Sequence, residues 1–134
     1  MFVFLDTETT GTGPEDRLCQ IAFKPEGGPA VCKLFNPGMP ISVDAMAIHH
    51  ITNRMVQGKP FFRGSETHTQ LQKLTGNERT VIVAHNARFD VDMLNKEGIY
   101  PPAGDLHFQT GTLSGQEWCH PQVQPPVSPV FSGT

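Results

Sequence analysis

Residues 4–11 read FLDTETTG, an apolar start that runs straight into Asp6 and Glu8 and then into glycine. The apolar run begins at Phe2, and Phe2 to Leu5 is hydrophobic throughout, as expected of a buried strand. Side chains at i and i+2 of a strand point to one side. An extended backbone that continues past Leu5 therefore projects Asp6 and Glu8 together. Two such carboxylates repel each other unless a cation or a proton sits between them. Hard divalent cations such as Mg²⁺ and Mn²⁺ prefer oxygen ligands of this kind. Polar residues also end strands without any such purpose, so the pair needs a partner from elsewhere in the chain.

The stretch VIVAHNARFD, residues 81–90, supplies one. Val81 to Ala84 is short, apolar and β-branched, which predicts a second buried strand. A helix is expected from about Arg88 to Glu97, with Phe89, Met93 and Leu94 on its apolar face and Gly98 at its C-terminus. Asp90 then falls in the first turn, where it can face the end of the first strand. Three convergent carboxylates can hold two metal ions, which activate a water and stabilise the leaving oxygen in phosphodiester hydrolysis. On its own, Asp90 reads equally as an acid favoured by the helix dipole.

Between these stretches the chain predicts a meander and two more helices. Leu18 to Phe23 is a second predicted strand after the turn residues Gly11, Gly13 and Pro14, and Gly27, Gly28 and Pro29 turn the chain into a third strand over Ala30 to Phe35. Ser42 is placed to cap a helix reaching Ile48, with Asp44 in its first turn. Ser65 begins another, with Leu71 and Leu74 on one face and Gly76-Asn77 as its stop. The class is α/β: a mixed sheet, built from an antiparallel three-strand meander plus a crossover strand, flanked by helices.

The 134 residues are one domain's worth of chain, and the net charge of −3 presents no basic surface. Metal-bound phosphate needs little protein charge, so this excludes nothing about nucleic acid. No apolar run is long enough to span a membrane, and no signal-like segment precedes the first strand. The three cysteines, Cys19, Cys32 and Cys119, are widely spaced and suggest no CxxC site or disulfide framework, which fits a reducing cytoplasm.

Taken together, FLDTETTG, HNARFD and the intervening FNPGMPIS and AMAIHHIT resemble the DnaQ-like, or DEDD, 3′-5′ exonucleases, over roughly residues 1 to 100. That family includes the proofreading epsilon subunit of bacterial DNA polymerase III. The resemblance implies a ribonuclease H-like fold and two-metal hydrolysis of DNA or RNA from the 3′ end, with two Mg²⁺ or Mn²⁺ ions in the complete site. It implies metal-ligating and catalytic roles for Asp6, Glu8 and Asp90. It places Thr9 and Gly11 against the terminal nucleotide, Asn86 at the site, and His49 near the substrate. For His49 a purely structural hydrogen bond is an equal alternative. His50 stands where the family usually has glycine. His85 reads as structural at the strand end, Asp16 and Asp92 as solvated charges, Arg88 as an exposed helix residue and Phe89 as core. A DNA polymerase subunit is the partner implied for proofreading members, and no membrane is involved.

The family completes its site with H-x-A-x-x-D, whose histidine takes the proton from water and whose aspartate is the fourth acidic ligand. Within these 134 residues, neither His107 nor His120 has an aspartate five positions on. No Lys or Arg follows Lys96, and residues 101–134 hold six prolines and four glycines. The expectation is a partial exonuclease domain over 1–104, incomplete at its C-terminus, and an irregular tail over 105–134. Back-translation of DLHFQTGTLSGQEWCHPQVQPPV, read from each codon's second base, permits ICTFKLARYLDKNGVIPKYNLQ, which resembles the family's next segment. A shift of reading frame near residue 105 accounts for the tail. Activity is then expected to be impaired, the alternative being a non-catalytic remnant that binds metal or nucleic acid weakly. A different two-metal phosphoesterase of the same fold, such as a ribonuclease H, is disfavoured by HNARFD and the linker.

Overall fold

Phe2–Thr9 forms β1, and its burial alternates: Val3, Leu5, Thr7 and Thr9 are buried, while Phe4, Asp6 and Glu8 are half-buried. The strand therefore outruns its apolar half by four residues, keeping the period of two through the acids. The computed structural model describes residues 1–102, 106–108 and 119. β1 pairs antiparallel with β2 (Leu18–Pro25), and β2 with β3 (Val31–Leu34), which is the expected meander. The crossover strand β4 (Val81–Ala84) lies parallel to β1 on its other side, and the sheet order is β3-β2-β1-β4-β5.

β5 (Leu106–Phe108) is a correction to the sequence reading, which took everything from 105 onward as irregular. Its backbone pairs parallel with β4, from Ile82↔Leu106 to Ala84↔Phe108. Three residues are too few to carry a detectable period, so only the open edge of β4 marks where they go. Apart from these three and Cys119, the tail lies outside the described residues.

The helices start where capping chemistry puts them. Ser42 caps α1 (Val43–His49) by accepting from the Ala45 N–H at 3.1 Å, and Ser65 caps α3 (Glu66–Thr75) by accepting from the His68 N–H at 3.1 Å. A four-residue helix, α2 (Asn53–Val56), was too short to be read in advance. α4 spans Ala87–Lys96. Val3, Leu5, Ile21, Phe23, Ile82 and Ala84 form the main core with Leu71 of α3 and Ala87 and Leu94 of α4. A second cluster joins Cys19 to Ile41, Ala45, Ile51 and Val56 around α1 and α2. Asp6 and Glu8 alternate with the residues of the main core, so they project from the other face of β1.

Cysteine pairing also departs from expectation. Cys32 of β3 and Cys119 form a disulfide with Cα atoms 5.6 Å apart, across a sequence separation of 87. Spacing gives no hint of a bond between residues so distant, and the cysteines no longer argue for a reducing compartment. Cys19 is free and buried. Burial pushes its thiol up to about 12, and the charge of Glu8 adds to the effect.

Candidate active site

The site is organised by an unequal pair of strands. β1 and β4 are paired from Phe2↔Val81 to Phe4↔Val83, yet β1 runs on to Thr9. Backbone direction alternates along β1: the Phe2 carbonyl accepts from Glu26 N at 2.8 Å on the β2 side, and the Met1 carbonyl accepts from Val81 N at 2.8 Å on the β4 side. Odd-numbered residues up to the bulge at Glu8/Thr9 thus turn their backbone groups toward β4. At Thr7 that strand is no longer there.

Asp90 takes its place. Its Oδ1 accepts from the Thr7 backbone N–H at 3.1 Å and from the Thr7 hydroxyl at 2.6 Å. The carboxyl group sits in the first turn of α4 and is only 3% exposed. Burial pushes its pKa up to about 7; the Thr7 hydroxyl opposes this, the nearby charge of Asp6 adds to it, and the Thr7 amide opposes it. Asp6 and Asp90 are therefore brought into electrostatic range of each other. Glu8 lies on the Asp6 face of β1 and acts on Cys19. Among the described residues, no three His, Cys, Asp or Glu side chains form a ready-made metal cage. The donor set is nevertheless all oxygen. Mg²⁺ is commonly held by one or two carboxylates, with water and substrate phosphates completing its shell, and these residues fit such an ion.

The loop after β1 is tied down by Asp16, which is not the solvated charge that the sequence suggests. Asp16 accepts from the Thr10 hydroxyl at 2.6 Å and from the Gly13 N–H at 2.8 Å. The Thr10 bond, the Gly13 bond and the charge of Lys96 together outweigh desolvation and hold its pKa below the usual value. Lys96 at the end of α4 donates to the Asp16 carbonyl at 2.7 Å, and the buried Glu97 pairs with Arg17 at 2.7 Å. So α4 grips β1 with its first turn and the following loop with its last. Thr9 donates its hydroxyl to the Gly11 carbonyl at 2.7 Å.

Gly11 is required by this arrangement, because a Cβ there would lie 2.6 Å from Asp16 Oδ2. Gly11→Ala is expected to destabilise the fold by about 1–3 kcal/mol, measured by urea denaturation. The same change in an Asp16→Ala background should cost much less, since the obstructing carboxylate is gone.

His49 bonds through both ring nitrogens: Nε2 lies 2.8 Å from the Thr9 carbonyl, and Nδ1 accepts from the Ile51 N–H at 3.0 Å. That pattern selects the neutral ring with its proton on Nε2, donating to Thr9. The histidine thus braces the end of β1, the structural alternative of the sequence reading. His50 has φ 61° and ψ 18°, a left-handed C-cap that glycine adopts without strain, which explains the family's glycine there. His85 and Asn86 are both exposed at the turn into α4. His85 directly follows β4, at the strand end. Asn86 makes no side-chain cap bond to α4. Arg88 and Asp92 are exposed and Phe89 is half-buried. The sequence reading passed over Thr7; its place between two acids on a strand, pointing to the core, was the available signal.

Comparison with known proteins agrees with this geometry. The exonuclease family model RNase_T matches residues 3–99. The chain is 38% identical over 104 residues to a DNA polymerase III subunit epsilon-like protein of Rhodobacter capsulatus, covering 72% of this chain and 14% of that protein. It is 37% identical over 101 residues to DNA polymerase III subunit epsilon of Treponema pallidum, covering 72% of this chain and 45% of that protein. It thus spans less than half the length of either relative. Among solved structures, Exonuclease X in complex with 5′ overhanging duplex DNA is 34% identical with a TM-score of 0.55, covering 79% of this chain and 58% of that one. E. coli Exonuclease I in complex with a dT13 oligonucleotide shares the fold, at 24% identity and a TM-score of 0.61 over 76% of this chain and 25% of that one. With β1 from Val3 onward, the FNPGMPIS and AMAIHHIT stretches and α4 inside the matched span, the chain belongs to the DnaQ-like exonuclease family, with its ribonuclease H-like fold.

Proposed function

We propose that this domain hydrolyses phosphodiester bonds at the 3′ end of DNA or RNA with the help of divalent metal ions. The observation that carries the reading is the docking of Asp90 on Thr7 where β1 outruns β4, within electrostatic range of Asp6, with Glu8 two residues along the same face as Asp6. Asp6, Glu8 and Asp90 would hold Mg²⁺ or Mn²⁺. When bound, such an ion supplies a Lewis acid and lowers the pKa of water. The chain's own residues do the rest. Asp90 is held against β1 by Thr7, and His49 and Asp16 hold the Thr9–Gly11 turn in the place where the terminal nucleotide would lie. Asn86, exposed at the turn into α4, would meet the substrate.

No H-x-A-x-x-D follows Asp90 within these 134 residues, so release by these residues alone is expected to be slow, the general base of that motif not being among them. The polymerase III names of the relatives support a role beside a DNA polymerase, and replication or repair in the cytoplasm is the setting that fits.

The test is the purified chain with Mg²⁺ or Mn²⁺ and a 3′-labelled single-stranded DNA. Slow, metal-dependent release of mononucleotides, lost in Asp6→Ala and in EDTA, is the expected result. Release unchanged by either treatment would refute the proposal. Complete absence of release favours the second reading, a remnant that binds metal or nucleic acid without hydrolysis. Fast release lost in Asp6→Ala would refute the claim that the chain is impaired.

A further inference from the structure

We propose that Thr7, between the two acids of β1, is a positioning residue that sets the direction in which Asp90 offers its carboxylate to a divalent cation. This rests on the metal-dependent reading above and adds a residue to it. Both Thr7 bonds, from the amide at 3.1 Å and the hydroxyl at 2.6 Å, land on the same oxygen, Oδ1. One bond would leave the carboxyl group free to rotate about it. Two donors from a single rigid strand residue fix its plane, and so fix the direction of the other oxygen.

Thr7 can do this because of where its two donors sit. Its backbone N–H faces the edge that β4 has vacated, and its side chain points to the buried face from which α4 approaches. Thr7 is 6% exposed and Asp90 3%, so water does not compete for these bonds. A β-branched side chain on a strand has a restricted χ1, which keeps the hydroxyl aimed at α4. A purely structural contact would not need an acid here: an amide at position 90 would accept the same two bonds without burying a carboxyl group. Keeping the acid makes sense when its second oxygen meets a cation. Second-shell partners that orient a ligand typically change metal affinity by about 10–100-fold when removed.

The experiment is a titration of the metal-free chain with Mn²⁺ alone, read by electron paramagnetic resonance, with thermal melts of the same samples. Thr7→Val keeps the shape and removes the hydroxyl; Thr7→Ala removes it with less risk of steric misfit; Thr7→Ser keeps it. Valine and alanine variants that melt as folded proteins are expected to bind Mn²⁺ about tenfold more weakly or worse, and serine within about threefold of the parent. Unchanged Mn²⁺ affinity in either folded variant lacking the hydroxyl overturns the positioning role while leaving the metal reading intact. Equal weakening in Thr7→Ser and Thr7→Val also overturns it, because the hydroxyl would then not be the cause. A parent chain that binds no Mn²⁺ overturns the metal reading and this inference with it.

Discussion

Asp90→Asn is expected to make the metal-free domain more stable at pH 8 than the parent, and to leave stability at pH 4 nearly unchanged. Asp90 is held at a pKa of about 7 in the fold, mainly by burial, against an ordinary aspartate value of 3.8. The sign follows from proton counts. Between pH 4 and 7 the unfolded chain has released this proton while the folded chain keeps it, so the folded state binds more protons and stability falls as pH rises. The fall begins near the unfolded pKa, ends near the folded one, and is flat above about pH 7. The interval between the two values corresponds to about 4 kcal/mol. Asparagine does not titrate, keeps an oxygen for the two Thr7 donors, and removes the slope. Urea denaturation in EDTA from pH 4 to 8 should therefore give curves for parent and variant that diverge by a few kcal/mol in the variant's favour. Asp16 acts in a different range and with the opposite sign: its lowered pKa gives stabilisation that is fully present above the ordinary carboxylate range and is lost at acid pH as the carboxylate protonates. Parallel curves for parent and variant would show that Asp90 is not the group responsible. With Mn²⁺ present the same substitution should lose its advantage, because a cation favours the ionised acid that asparagine cannot supply.

Local chemistry made much of this fold legible. The strand Val81–Ala84 stands where its β-branched run places it, and α1 and α3 begin after the serines that cap them. β1 was legible only in its first half. Its apolar run stops at Leu5, yet the strand continues to Thr9 because the threonines facing the core find hydrogen bonds there. The parts that escaped are those fixed by distant partners. Asp16 looks like any loop acid until Thr10 and Gly13 are folded against it. Thr7 gains its importance because β4 ends before β1 does, and that mismatch lies between residues 83 positions apart. β5 and α2, of three and four residues, are shorter than any hydrophobic period can reveal. The carboxylates were visible as residue types; the bond that orders Asp90 was not.

Expressing the chain with its reading frame shifted after residue 105 is expected to raise mononucleotide release by about two to four orders of magnitude, the usual contribution of a positioned general base. Asp6, Glu8 and Asp90 would provide oxygen ligands, but both ring nitrogens of His49 are engaged with backbone groups, so His49 is already committed to bracing the end of β1. Neither His107 nor His120 carries the aspartate spacing of the missing motif. The second-base frame permits KLARYLDKNG beyond the shift, an amphipathic and basic segment where the present frame has no Lys or Arg at all. Two controls decide the matter. The nucleotide sequence downstream must encode H-x-A-x-x-D in the shifted frame; if it does not, the frame explanation fails outright. In the shifted protein, Asp6→Asn should return release to the level of the present chain or below, because an amide cannot replace a carboxylate as a cation ligand. Restored activity that survives Asp6→Asn would mean that the carboxylates at the end of β1 are not where the chemistry occurs. A histidine of H-x-A-x-x-D in the shifted frame would supply the base but would have no ordered substrate without those carboxylates, so the two losses should not add: each removes a member of one working unit.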